Sequence, residues 1–478
     1  MTSATVVVDL DGTLLRSDML LETVNQLIGH SLFSVMKLPG WLAGGRALLK
    51  EQLARASDID PSLLPYHEPL LTWLRAQKEQ GARLVLATAS NELLANRIAA
   101  HLGLFDDVLA SNASINLKAA RKRDALVEKF GDKGFVYVGN DTPDLAVWQA
   151  ASAAVVVSDS ARLIAKAGQV TTVMATFATG RPLGFRSLLK AMRPHQWMKN
   201  LLVFVPMLAA HEYGNSHLIW LDLLAFFVFG LTASSVYLLN DLVDVMDDRH
   251  HARKRKRPFA SGDLSLLAGW LAWPGLLLSA IVISGLLLPG RFTGVLGSYF
   301  LLTLAYSFSL KRRAVVDVIT LAALYTVRIV AGAMAVSVTL SFWLLSFSMF
   351  LFLSLAFVKR FGELEKARAK GKPGDIRGRG YSPDDLDMVS SMGVASGYMA
   401  VLVMALYIQD SKTAILYHEP KFIWLACPLL LYWISRIWMI THRGHMHDDP
   451  IVFAIKDKTS WLVGSGFLAV FALARFAS

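Results

Sequence analysis

Two clusters of aspartates have the residue types and spacing to do chemistry. Near the start, the apolar stretch Ala4 to Val8 runs into Asp9-Leu10-Asp11-Gly12-Thr13. A strand that ends in two carboxylates one residue apart suits phosphoryl transfer: one attacks phosphorus, and the other protonates the leaving oxygen and then activates water. Gly12 stands where the chain must turn sharply, and open α/β sheets bind ligands at that end of their strands. Further on, an apolar run leads into Asn240-Asp241-Leu242-Val243-Asp244-Val245-Met246-Asp247-Asp248-Arg249. On a helix, positions 241, 244 and 248 share one face. Carboxylates at the end of a membrane helix are costly unless compensated, and magnesium diphosphate is a natural compensator.

Those clusters call for two different scaffolds. The chain has 478 residues, 54% hydrophobic and only 18% charged, which excludes a disordered or purely soluble protein. Its net charge of +11 is uneven, with 17 basic and 18 acidic residues up to position 180 and 31 against 19 beyond. A basic excess on a hydrophobic background suits anionic headgroups or phosphorylated substrates, so nucleic acid is not expected as a partner. With Cys427 as the single cysteine, an intrachain disulfide and a cysteine-based metal cluster are excluded. Asp9 and Asp11 interrupt what would be the apolar core of a signal peptide.

Over residues 1–175, the β-branched runs Ala4 to Val8, Leu84 to Ala87, Phe135 to Val138 and Ala154 to Val157 alternate with amphipathic stretches, predicting a parallel α/β sheet. Between the first two runs, Leu20 to Ile28, Ser34 to Ala43 and Leu70 to Gln77 read as a small helical insertion, a cap. A linker and basic interfacial helix follow over 176–192. Over 193–478 the pattern is all-α, with nine apolar segments: 197–211, 219–239, 266–288, 292–310, 315–335, 340–358, 388–409, 422–440 and 459–475. Basic loops alternate across the spans. Arg249 to Arg257, Lys311 to Arg313 and Lys359 to Arg379 share one side, which places the α/β domain in the cytoplasm and the C-terminus on the outer face of the inner membrane.

The first 160 residues resemble the haloacid dehalogenase-like phosphohydrolases. The resemblance implies a Rossmann-like domain with Asp9 as nucleophile, Asp11 as acid/base, Thr88 holding the phosphoryl group and Lys122 neutralising it. Gly139-Asn140-Asp141-Thr142-Pro143-Asp144 would complete a magnesium site with Asp9, through Asp141 or Asp144. The family usually has an acid directly after that glycine, where this chain has Asn140.

Residues 185–478 resemble the UbiA-type intramembrane prenyltransferases, which implies a nine-helix bundle and magnesium held by Asp241, Asp244 and Asp248. Asp317 and Arg328 lie eleven residues apart, nearly on one face of their helix. The family's second carboxylate is missing from Asp317-Val318-Ile319-Thr320-Leu321. That departure, with Arg193 to Asn200, Lys254 to Pro258, Tyr306 to Lys311 and Lys359-Arg360 through Glu363, is similar to the polyprenyl-phosphate phosphoribosyltransferases. It implies phosphoribosyl pyrophosphate as donor and a membrane polyprenyl phosphate as acceptor. Asp241, Asp244 and Asp317 would be catalytic, and Lys199, Asn240, Arg249, Arg257, Tyr306, Lys311, Arg328, Lys359 and Arg360 would bind substrate. The fused domain would then remove the ribose 5-phosphate. The alternative is transfer of a prenyl group from polyprenyl diphosphate to an aromatic or lipophilic acceptor, with a regulatory or unrelated phosphatase domain. His442, His445, His447, Asp448 and Asp449 read as a polar loop.

Overall fold

The computed structural model describes residues 4–30, 32–180, 184–369, 380–410, 416–446 and 449–477. They fall into two compact units, one of 1–193 with 237–275 and one of 194–236 with 276–478. The first unit therefore takes in a segment beyond the interfacial helix, including all of 240–249.

Six parallel strands form the sheet of the first unit: β1 (Thr5–Val8), β2 (Arg83–Asn91), β3 (Asp107–Ser111), β4 (Val136–Gly139), β5 (Ala153–Val157) and β6 (Thr172–Phe177), in the order β3-β2-β1-β4-β5-β6. Val8 pairs with Leu86 on one side and Val138 on the other. Because β1, β2 and β3 run outward one way and β4 returns to the other flank of β1, the strand order reverses between β1 and β4. Ligands bind at such a switch point, beyond the carboxyl ends of the strands. Val6, Val8, Leu84, Leu86, Val138 and Val155 fill the core on one face of the sheet; Val7, Val85, Tyr137, Trp148 and Val156 fill it on the other.

The helical insertion between β1 and β2 is present. It consists of helix α1 (Met19–His30), a 3-10 turn Leu32–Lys37, and helices Leu38–Ala43, Arg46–Ala56 and Glu68–Glu79. Asp18 starts α1 by accepting the Leu20 and Leu21 amides at 2.8 and 3.2 Å. Helix Gly184–Met192 lies where the basic interfacial stretch was expected, with Phe185 70% exposed.

Beyond it the chain is helical. Among the described residues, seven helices are long and apolar enough to cross a membrane: Ser216–Val243, Leu266–Leu287, Val316–Ala335, Phe342–Ala369, Pro383–Ile408, Pro420–His442 and Lys458–Phe476. The expected nine spans are thus not all matched. The segment 197–211 is divided between a 3-10 run, Pro194–Phe204, and the short helix Val205–Ala209, where Pro206 withdraws a backbone donor. The segment 292–310 is a helix, Gly290–Phe308, but Arg291 and its Ser, Thr and Tyr residues leave it less apolar than the seven. Leu271, Leu278, Leu286, Trp461 and Leu462 point outward, as lipid-facing side chains do. Inside the second unit, small residues allow close packing: a Cβ on Gly332 would lie 1.8 Å from the Val203 carbonyl.

Candidate active sites

Asp9 leaves β1 with its amide donating to Val138 O at 3.0 Å, so the backbone of β4 fixes it at the switch point. One carboxylate oxygen, Oδ1, accepts from the Leu10 amide at 2.9 Å and from Lys122 Nζ at 2.8 Å. Lys122 comes from helix Ala120–Phe130, is 4% exposed, and also donates to the Tyr137 hydroxyl at 3.0 Å. The Tyr137 hydroxyl donates to Asp144 Oδ1 at 3.0 Å. Gly12 turns the chain back with φ of +74°, and a Cβ there would meet the Asn140 amide nitrogen at 2.4 Å.

Asp11 accepts from the Met19 amide at 2.8 Å and from Ser90 Oγ at 2.6 Å. Thr88, fully buried at the end of β2, accepts from the Ser90 amide at 2.9 Å. Asp9, Asp11, Thr88, Lys122 and Asp144 are thus set by neighbouring strand ends and the elements that follow them. Of the two acids after Gly139, Asp144 is the buried one, its Oδ2 taking the amides of Asn140 and Asp141 at 2.9 and 3.0 Å. Asp141 is exposed and caps the turn that follows, accepting from the Thr142 amide. Asn140 has local partners: its carbonyl accepts from Thr13 Oγ1 at 3.0 Å.

The electrostatics of this cluster are those of crowded acids. Desolvation, with Asp18 and Asp9 adding repulsion, pushes Asp11 up to about 7. Desolvation and the Asp9 charge push Asp144 up to about 6, against the pull of Lys122. A hard cation suits such oxygen donors, which repel one another and gain by its charge. Sequence reasoning missed three contributors: Tyr137, Ser90 and Lys50. Lys50, on helix Arg46–Ala56, donates to Ala89 O at 2.5 Å and Asn116 Oδ1 at 3.1 Å. Burial lowers its pKa while Asp11 and Asp18 oppose the shift. A hydroxyl in an otherwise apolar central strand was the available signal for Tyr137.

Still in the first unit, Asp241 closes the last turn of helix Ser216–Val243 and is 3% exposed. Arg193 grips both its oxygens, at 2.5 and 2.8 Å. Arg257 Nη1 bridges Asp241 Oδ1 at 3.1 Å and Asp248 Oδ2 at 2.7 Å. Burial pushes Asp248 up to about 6 despite Arg257. Asp244 is half-buried at the joint between that helix and Val245–His250, and Asn240 is half-buried one residue before Asp241. Arg249 points elsewhere, to Glu22 and the Ala260 carbonyl. Because the helix breaks at Asp244, the three acids do not share the face of one continuous helix as expected; their hard oxygen donors fit magnesium, although among the described residues no three acids or histidines already converge as a metal site.

In the second unit, Lys199 Nζ lies 3.0 Å and Lys359 Nζ 3.4 Å from the same Asp449 oxygen. Burial of Asp449 would raise its pKa, but Lys359 and Lys199 outweigh that and lower it. Asp317 faces Arg360 and Tyr381 rather than Arg328. Arg328 donates to Asn200 Oδ1 at 3.0 Å and Tyr299 OH at 3.1 Å, between the rings of Phe229, Tyr299 and Tyr325. Tyr306 packs on the cluster around Phe292, and Lys311 lies on the turn Leu310–Arg312. His442 lies tilted against the Phe361 ring, while His447 and Asp448 lie outside the described residues.

Residues 200–470 match the UbiA prenyltransferase family. The chain belongs to that family. Its residues 6–123 match the haloacid dehalogenase-like hydrolases, so this UbiA-type transferase carries a fused phosphatase-like domain. An uncharacterized protein y4nM of Sinorhizobium fredii is 39% identical over 98% of this chain and 90% of its own. The decaprenyl-phosphate phosphoribosyltransferase of Mycobacterium tuberculosis is 37% identical over 59% of this chain and 92% of its own. The structure of a UbiA homolog from Archaeoglobus fulgidus bound to GPP and Mg2+ aligns with a TM-score of 0.45 and 17% identity, over 60% of this chain and 99% of that one.

Proposed function

We propose that this UbiA-family enzyme moves phosphoribose from phosphoribosyl pyrophosphate to a polyprenyl phosphate, with magnesium, and that the fused domain removes the ribose 5-phosphate. The observation that carries the reading is the character of the second unit's polar groups. Helix Val316–Ala335 has one carboxylate, Asp317, and it is sealed against Arg360. In place of a second pair of metal ligands, Lys199 and Lys359 converge on Asp449. Cations sharing one carboxylate suit substrates that bring phosphates of their own. The name and identity of the mycobacterial relative point the same way.

In the transferase, Asp241, Asp244 and Asp248 are the residues that would hold magnesium, whose charge would neutralise the departing pyrophosphate. Arg193, now on Asp241, turns to phosphate oxygens, and Arg257 offers them the part of its fork that Asp241 and Asp248 do not use. Lys199 and Lys359 hold phosphate, and the acceptor phosphate attacks ribose C1 as pyrophosphate departs. In the phosphohydrolase domain, Oδ1 of Asp9 is held by Lys122 and Leu10, so Oδ2 attacks phosphorus. Asp11 gives its proton to the leaving oxygen, and Thr88 and Lys122 hold the phosphoryl group. Asp144 completes the acid set that would hold a divalent cation there. Both sites work on the cytoplasmic face of the inner membrane, where the second site meets the first site's product at high local concentration.

The test is incubation of the purified chain with magnesium, labelled phosphoribosyl pyrophosphate and polyprenyl phosphate. Label in the lipid phase supports the reading. No label there, with prenyl transfer from polyprenyl diphosphate to 4-hydroxybenzoate instead, overturns it.

A further inference from the structure

Helix α1 belongs to the phosphohydrolase domain and already serves it, since its first amide holds Asp11. Its next two turns, however, are engaged with the segment 241–260. Glu22 is 2% exposed and receives Arg249 in a fork, Nη2 to Oε1 at 2.7 Å and Nη1 to Oε2 at 3.0 Å. Arg249 then donates its Nε to the Ala260 carbonyl at 3.0 Å. That contact anchors the loop which returns Arg257 to Asp241 and Asp248.

One turn further, Asn25 Nδ2 donates to the Leu242 carbonyl at 2.6 Å, and Trp270 Nε1 donates to Asn25 Oδ1 at 3.0 Å. Leu242 lies in the last turn of Ser216–Val243, where helix carbonyls lack partners of their own. Asn25 therefore caps the helix end that carries Asp241. Met246, between Asp244 and Asp248, packs onto the core of the α/β domain. Apolar contact alone would have sufficed to dock two surfaces. Here buried polar groups are aimed at the helix end and the loop that set the spacing of the aspartates.

We propose that Glu22 and Asn25 are positioning residues for the transferase: they hold Asp241, Asp248 and Arg257 in the register that binds the diphosphate. The inference rests on the reading of 241–248 as the diphosphate site. It makes the phosphohydrolase domain a structural part of the transferase motif rather than a tethered neighbour.

The experiment uses the full chain in detergent, with magnesium pyrophosphate as the probe in titration calorimetry and Asp241→Asn marking the binding that belongs to the motif. Glu22→Gln and Asn25→Ala should each weaken binding about ten-fold, the usual loss when a group orienting metal ligands is removed. Hydrogen exchange should quicken over 240–263 while strands β1 and β4 keep their protection. Unchanged affinity and exchange in both variants overturn the proposal, as does wild-type binding that Asp241→Asn leaves intact. Since Glu22→Gln strands a buried guanidinium, the pair Glu22→Leu with Arg249→Met gives a second measurement. A positioning role predicts a folded protein that still binds weakly, and recovery of wild-type affinity refutes it. Wild-type binding of magnesium pyrophosphate with no phosphoribosyl transfer would sink the proposed function while leaving this inference standing.

Discussion

Asp317 and Arg360 form an ion pair with no solvent exposure on either side, Oδ2 to Nη2 at 2.5 Å. Tyr381 adds its hydroxyl to Asp317 Oδ1 at 2.7 Å, while Glu363 takes another guanidinium nitrogen. The Oδ2 to Nη2 contact is close but poorly aligned as a hydrogen bond, so its attraction is mainly ionic. Removing one member leaves the other charged and buried. Asp317→Ala should therefore cost about 3–5 kcal/mol of stability, seen as a lower unfolding temperature in detergent. The double change Asp317→Leu with Arg360→Met should recover most of it. A single variant as stable as wild type, but with weakened donor binding, would support a catalytic role for Asp317 over a structural one.

Arg257 bridges Asp241 and Asp248 with one nitrogen, leaving the rest of its planar fork for a phosphate. Lysine keeps the charge and loses the fork. Arg257→Lys should raise the KM for phosphoribosyl pyrophosphate about ten-fold with a smaller change in kcat, consistent with the loss of one charge-assisted hydrogen bond. An unchanged KM would remove Arg257 from the donor site. Asp241→Asn, by contrast, should abolish transfer without unfolding the chain.

What the sequence made legible follows from how strongly each pattern is driven by burial. Strands β1, β2, β4 and β5 are central and read as continuous β-branched runs. Edge strands β3 and β6 have partly exposed residues, so Asp107–Ser111 and Thr172–Phe177 carry no such run. Helix Arg46–Ala56 was missed because it buries only Glu51, Leu53 and Ala54, and with it Lys50 was missed. The acids at 9, 11, 241, 244 and 248 announced themselves by spacing. Lys122 and Arg257 were legible as well, but the long-range ion pairs were not: Arg193 and Asp241 are brought together by packing across 48 residues, and Glu22 and Arg249 across 227. Local periodicity carries no record of such pairs.

Asp11 and Asp144 are raised to about 7 and about 6 from an ordinary carboxylate value of 3.8. The folded chain therefore holds protons that the unfolded chain has released, and the associated stability is complete below 3.8 and disappears as pH rises through 6 and 7. In chelator, the melting transition of the α/β domain should move downward between about pH 4 and about pH 7. Excess magnesium should flatten that slope by neutralising the acids, and Asp11→Asn should reduce it with no metal added. An equal slope in Asp11→Asn and wild type would assign the dependence to other groups.

Asp9→Asn separates the two proposed reactions. The amide cannot form an aspartyl-phosphate, so hydrolysis of the ribose 5-phosphate should fall by at least about a thousand-fold, as loss of a nucleophile does. Arg193, Asp241, Asp248 and Arg257 make their contacts without Asp9. Phosphoribosyl transfer should therefore keep its wild-type rate, and lipid-linked ribose 5-phosphate should accumulate. Chromatography of the lipid products on a phosphate-sensitive support reads both steps at once. If wild-type protein itself stops at the phosphorylated lipid, Asn140 is the next position to change, because it stands beside Gly12 and Thr13 where the related hydrolases carry an acid. Asn140→Asp should then raise magnesium-dependent hydrolysis, and no gain would locate the defect elsewhere in the domain.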